Sequence, residues 1–187
     1  MPSLKVSVIG LLFLSIILSI YSLSVSKNIR VRTNATASSR PDAFMEGVVA
    51  TTINQQGHLS LTLETPKMFH YAHNDTMDIE TPHVTLYSNS PEPWVIDSLT
   101  GQTTQGSDYI VFRGNVVIHH AEDSSHPETF IRTQVLNLSS QDQIATTPEP
   151  ITLTQPSLTI AGIGLSANLN TGMIHLLSNA RGEYVPN

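Results

Sequence analysis

His58-Leu59-Ser60-Leu61-Thr62-Leu63 and Pro150-Ile151-Thr152-Leu153-Thr154 alternate apolar and polar residues with period two. Such strands bury one face and wet the other. Leu158-Thr159-Ile160 and Val135 to Leu138 repeat the pattern over shorter lengths. From Phe44 onward no window shows a helical apolar stripe. Eleven prolines, mostly lying between the alternating runs, also speak against long helices.

The runs recur in units. Asp75, Asp108, Asp142 and Gly172 are turn-type residues at spacings of 33, 34 and 30. Two positions on come Met77, Ile110, Ile144 and Ile174, and four on come Ile79, Phe112, Thr146 and Leu176. Before the turn, Phe69 and Tyr71 stand at the same offsets as Leu136 and Leu138. Each unit reads as strand, turn, strand. A stack of such hairpins makes a jelly roll, a β-helix-like fold or an open barrel.

The N-terminus has a different character. Val6 to Val25 carries no charge, and thirteen of its residues are Val, Ile, Leu or Phe. At helical rise this run spans roughly 30 Å, one hydrocarbon core. It reads as a transmembrane anchor (residues 1–25), the alternative being a cleaved signal peptide with Ser22-Leu23-Ser24 as its small-residue site. Ser15, Ser19, Ser22 and Ser26 fall on one helical face, where small side chains let another helix approach. Residues 26–43 have no apolar period and form a basic linker of up to roughly 60 Å if extended. Residues 44–187 form the β domain.

Charge divides the same way. Residues 1–43 hold five cations and one anion, while residues 44–187 hold four cations and fourteen anions, for a net charge of −6. An acidic domain with scattered cations is a poor nucleic-acid binder. The basic tail suits anionic headgroups. Read alone, the cations following the apolar run place the domain in the cytoplasm.

The usual catalytic signatures are absent. There is no cysteine, which excludes disulfides and thiolate metal sites. No nucleophile elbow, P-loop or dinucleotide fingerprint occurs. Asp78 and Glu80, two apart on one strand face, offer paired carboxylates for an envelope enzyme acting on polysaccharide, or simply a wet face. The eight histidines include His70, His73 and His83 and the pair His119-His120. On strands, adjacent residues and residues three apart point to opposite faces, so no metal site and no cofactor is expected, and the histidines read as solvent-facing.

The ordered set of segments resembles the LptC family of lipopolysaccharide export. It comprises the apolar N-terminal run, the linker, Gln56-Gly57-His58-Leu59-Ser60-Leu61, Phe69-His70-Tyr71, Thr81-Pro82-His83-Val84-Thr85-Leu86 and Pro93-Trp94. Asp108-Tyr109-Ile110-Val111-Phe112-Arg113-Gly114-Asn115-Val116 and Leu158-Thr159-Ile160-Ala161-Gly162 complete it. The resemblance implies an all-β, open β-jellyroll of OstA-like stacked antiparallel hairpins behind one transmembrane helix. It implies a single-pass inner-membrane protein with its domain in the periplasm, against the charge rule, and no enzymatic activity.

Lipopolysaccharide is then the ligand. The partners implied are the membrane subunits of the export ABC transporter, met by the serine-striped helix and a first edge near Phe44–Ile53, and LptA, met by a last edge near Met173–Tyr184. The acyl-chain lining is expected from the alternating apolar set: Phe69, Tyr71, Ile79, Ile110, Phe112, Leu136, Leu138, Ile144, Ile174 and Leu176. An ordinary closed core is the other reading of the same residues. Gly114 and Gly162 are expected to serve backbone geometry. A soluble, LptA-like bridge component with a cleaved signal peptide is the nearest alternative.

Overall fold

The structure, a computed structural model, describes residues 40–54, 56–88, 90–104 and 108–185. The apolar run, the serine stripe and most of the linker lie outside them. Among the described residues no helix is long and apolar enough to cross a membrane.

Eleven strands form one antiparallel sheet. They are β1 (Ala43–Ile53), β2 (Leu59–Tyr71), β3 (Thr76–Glu80), β4 (His83–Leu86), β5 (Trp94–Asp97), β6 (Thr100–Thr104), β7 (Tyr109–His120), β8 (Thr129–Ser139), β9 (Ile144–Gln155), β10 (Leu158–Asn168) and β11 (Met173–Tyr184). Along the chain they make a meander. β3 and β4 lie end to end against β2, and β5 and β6 lie end to end between that pair and β7. β1 pairs with β2 and β11 with β10, so each forms an edge of the sheet among the described residues.

A crease crosses the sheet at mid-strand. It runs from Gly47 past Pro66 to Thr81-Pro82, then through Leu99, Gly114-Asn115, Thr133-Gln134 and Pro148–Pro150, to Gly164 and Asn179. Gly47, Thr81, Gly114, Asn115, Gly164 and Asn179 have positive φ. The register slips at Arg113/Val116, Arg132/Asn137, Ala161/Ile163 and Ile163/Leu165. Extra residues at bulges bend a strand, and the prolines sit where the ladder is interrupted.

Buried threonines repair that interruption. Thr65 Oγ1 donates to Glu80 O at 2.5 Å and accepts from the Lys67 N–H at 3.2 Å. Thr133 Oγ1 donates to Pro150 O at 3.1 Å, and Thr147 Oγ1 accepts from the Glu149 N–H at 3.1 Å. Two main-chain links carry the crease between the half-strands, from the Thr81 N–H to Leu99 O at 2.9 Å and from the Leu99 N–H to Gly114 O at 3.0 Å.

Folding at the crease brings apolar rows from both halves together. One row is Met68–Ile79–Gly101–Phe112–Leu136. The other half supplies Leu63–Val84–Ile96–Ile118–Ile131–Leu153–Ile160. Nearly all of these side chains are buried in a single hydrophobic cluster, against which Ile160 packs from its margin. The fold also brings the two ends of the strands into contact along a seam. Gln143 Nε2, in the β8–β9 turn, donates to Tyr87 O beyond β4 at 2.7 Å.

Two substitutions probe the crease. Thr65→Val keeps the shape but strands the Lys67 N–H and Glu80 O, and should lower unfolding free energy by about 1–3 kcal/mol. Gly114 has φ +80°, and a Cβ there would lie 3.0 Å from Leu99 Cδ1. Gly114→Ala should therefore cost about 1–3 kcal/mol, whereas Gly162→Ala should stay within about 1 kcal/mol, since Gly162 lacks positive φ and its Cβ would meet Ser178 O at an ordinary 3.4 Å. Urea denaturation of the three variants gives the comparison.

Candidate functional site

The interior between the two halves holds the hydrophobic cluster of the described residues. Of the residues expected to line it, Ile79, Ile110, Phe112, Leu136 and Leu138 converge there, each at most 1% exposed. Ile174 and Leu176 lie half-buried on β11 and pack against the margin of the same cluster. The structure therefore joins seven of the expected residues around one apolar interior. Their side chains fill it against one another.

Phe69, Tyr71 and Ile144 do not join them. Phe69 pairs with Phe44 of β1 and with Asp78 of β3, and Lys67 Nζ stands 5.3 Å from the Phe44 ring centroid and 5.2 Å from that of Phe69. Tyr71 pairs with Thr76 on the same outer side, and its phenol pKa is raised by partial burial and by neighbouring Asp78. Ile144 pairs with Ser139 and is 36% exposed, while the adjacent Ala145 points inward. For Phe69 and Tyr71 the physical reason lies in the crease. On β2, Leu61, Leu63 and Thr65 point inward, but beyond Pro66 the inward position passes to Met68. Counting by twos across the crease therefore assigns Phe69 and Tyr71 to the wrong face.

The glycines divide similarly. Gly114 occupies the β7 bulge with left-handed backbone. Gly162 faces the irregularity in β11 with ordinary backbone, and the left-handed requirement falls two residues later at Gly164. Asp78 and Glu80 share the outer face as expected, with Asp78 accepting from Gln102 Nε2 at 2.8 Å and Glu80 exposed. The turn residues Asp75, Asp142 and Gly172 lie in hairpin turns at one end of the strands, and Asp108 precedes β7 at that end.

The expectation that the histidines face solvent fails at one position. His119 faces out and stacks on Phe130, with centroids 4.3 Å apart. His120 faces in and is 2% exposed, because it continues the inward series Val116, Ile118.

Both edge strands overhang the core. β1 is exposed along most of its length, including Phe44, Met45, Val49 and Ile53, and β11 exposes Met173, Leu177 and Tyr184. An unpaired edge flanked by apolar side chains is a template for a further strand. The start of β1 is fastened by Asp42. Its N–H donates to His70 O at 3.0 Å, and its Oδ1 lies 2.9 Å from His70 Nδ1 and accepts from the Ala72 N–H at 3.1 Å.

The domain is thus a creased all-β roll with an apolar interior and, among the described residues, two strand edges left unpaired. The chain belongs to the lipopolysaccharide-assembly, LptC-related family, whose model matches residues 9–185. It is a component of the lipopolysaccharide transport bridge. No curated protein matches the chain. Among solved structures it is similar to LptH of Pseudomonas aeruginosa, the LptA-homologous periplasmic component of the lipopolysaccharide transport device. Identity is 7%, over 80% of this chain and 99% of that one, with a TM-score of 0.47.

The Asp42–His70 fastening is pH-dependent. The His70 pKa is raised above 6.5 by its bond to Asp75, opposed by partial burial and aided by Asp42. Partial burial pushes the Asp42 carboxyl up, but its own amide, His70 and the Ala72 amide outweigh this and leave it below 3.8. The His70 contribution is complete below its unfolded pKa and disappears as pH rises through the raised folded value. The Asp42 contribution is present above its unfolded pKa and disappears as pH falls through the lowered folded value. Protection of the Ala72 amide from hydrogen exchange, corrected for intrinsic rate, should thus be greater at about pH 5 than at about pH 8. His70→Gln should flatten that difference; equal protection in the wild type at both pH values would refute the linkage.

Proposed function

We propose that this protein is the inner-membrane-anchored, single-pass component of the bridge, with its β roll in the periplasm. It accepts lipopolysaccharide extracted by the export ABC transporter, shields the acyl chains between the two halves of the roll, and passes the lipid to LptA. The serine-striped helix (Ser15, Ser19, Ser22, Ser26) packs against the transporter's membrane helices, and β1 adds to the transporter's own periplasmic edge. β11 receives LptA. The role is not catalytic: the energy comes from ATP hydrolysed in the transporter.

The observation that carries this reading is the pairing of one continuous apolar interior with two apolar edges that are unpaired among the described residues. Shielding an acyl chain from water stabilises the bound state by about 0.8 kcal/mol per buried methylene. The interior side chains are packed against each other, so the lipid enters as the halves part along the seam, exchanging protein contacts for lipid contacts.

A photo-crosslinking residue placed at Ile79 or Phe112 in living cells should capture lipopolysaccharide in an ATP-dependent manner. The same residue at Phe69 or Tyr71, on the outer face, should capture little or none. Equal capture at all four sites, or none at Ile79 and Phe112 in folded, membrane-bound protein, would remove the interior from the transport path.

A further inference from the structure

The seam holds a cluster that lipid transport does not use. His120 ends β7, and Asp123 and His126 follow at three-residue steps in the connection to β8. The His120 ring and the Asp123 carboxylate are 2% and 3% exposed. Asp123 Oδ2 lies 3.7 Å from His120 Nε2, and Asp123 Oδ1 lies 3.2 Å from His126 Nδ1. One donor atom from each of the three residues falls within 4.8 Å of the other two. Among the described residues, the ion-pair partners of this buried carboxylate are imidazoles.

The loop orients the carboxylate. Asp123 Oδ1 accepts from the Ser125 N–H at 2.6 Å and the His126 N–H at 2.8 Å, which leaves Oδ2 turned toward His120. Ser90 Oγ, from the β4–β5 connection, donates to Asp123 Oδ2 at 2.6 Å and lies 3.2 Å from His120 Nε2. The Ser90 hydroxyl is thus the first cause holding the Asp123 carboxyl well below the usual carboxylate range, and the Ser125 amide is the second. His120 Nδ1 has no hydrogen-bond partner, an uncommon state for a buried imidazole nitrogen.

We propose that His120 Nε2, Asp123 Oδ2 and His126 Nδ1 bind a divalent transition-metal ion of the zinc class, with water in the fourth position. Tetrahedral zinc with bonds near 2.0–2.1 Å needs ligand atoms about 3.3 Å apart. Asp123 Oδ2 lies 3.7 Å from His120 Nε2 and 3.2 Å from His126 Nδ1, both close to that value. Two imidazoles and one carboxylate select zinc, copper, nickel or cobalt over magnesium or calcium. The loop amides on Oδ1 supply the outer-shell support that metal carboxylates ordinarily have. The position gives the ion a structural consequence. A Cβ at Gly172 would lie 3.0 Å from His126 Nε2, so the β10–β11 turn abuts the site, and Ser90 brings in a second connection. A bound ion would fix the β7–β8 connection where the two ends of the roll meet.

The chain's single tryptophan reports on the site, since the Trp94 and His120 ring centroids are 4.6 Å apart. Untagged full-length protein in detergent, stripped with EDTA, is titrated with Co2+ and then Zn2+. The expected result is saturable one-to-one quenching of Trp94 with tetrahedral Co2+ absorption, reversed by Zn2+, and a Tm that rises with Zn2+ concentration. His126→Gln, at the exposed end of the cluster, and Asp123→Asn should each weaken binding at least tenfold, while His175→Gln on β11 should leave it unchanged. Circular dichroism establishes that the variants are folded, and His126→Gln carries the test should Asp123→Asn fail to fold. Absence of saturable quenching in the folded wild type, or unchanged affinity in folded His126→Gln, overturns the site.

Discussion

The backbone crease is the constraint on which the rest of this structure depends. A flat antiparallel meander would expose one apolar face to water. Left-handed backbone at Gly47, Gly114, Gly164 and Asn179 turns β1, β7, β10 and β11 near their middles, Thr81 turns the β3–β4 junction, and the apolar face folds onto itself. The bend breaks ladder hydrogen bonds, and leaving such groups unpaired in a buried place costs about 1–3 kcal/mol each. Thr65, Thr133 and Thr147 are buried at those breaks and pair the freed groups. Their inward position is polar in chemistry but serves the hydrophobic interior, because without them the crease would be a line of orphaned amides and carbonyls.

The crease also explains why the terminal strands differ from the rest. Rows of inward side chains are completed by neighbours on both sides and from the opposite half. Among the described residues β1 and β11 have a neighbour on one side alone, so Phe44, Val49, Leu177 and Tyr184 are exposed. Exposed apolar edges are a hazard that soluble proteins usually cover or charge. Under the proposed function, partners complete these edges.

Much of the fold was legible because strands of this kind carry a period of two. The alternation at Leu59–Leu63 and Ile151–Leu153 marked real strands, and the Asp75, Asp108, Asp142 and Gly172 series marked one end of the hairpins. The inward set was legible wherever a run lay on one side of the crease, as at Ile110-x-Phe112 and Leu136-x-Leu138. It failed across the crease, where parity changes, and at Ala145 and Gly101, where the inward residue is too small to register as apolar. His120 was hidden for a related reason. Adjacent histidines on a strand do face opposite ways, but alternation from Val116 and Ile118 selects which one is buried. Its partners come from a loop, and loop geometry has no sequence period.

Packing and function pull in opposite directions in the interior. Truncating a buried Phe such as Phe112 to Ala typically costs about 3–5 kcal/mol, which measures how much a filled core holds the halves together. Under the proposed function, an acyl chain must compete with that self-packing. It need not compete with the whole core at once. The half-buried Ile174 and Leu176 on the overhanging β11, and the half-buried Met77 on β3, form a margin with fewer contacts to lose. A chain entering at that margin replaces a few protein contacts at a time, each methylene returning about what the exposed side chain gives up. The apolar interior can then exchange protein for lipid with little net change in buried area, while the crease stays hydrogen-bonded and acts as the hinge.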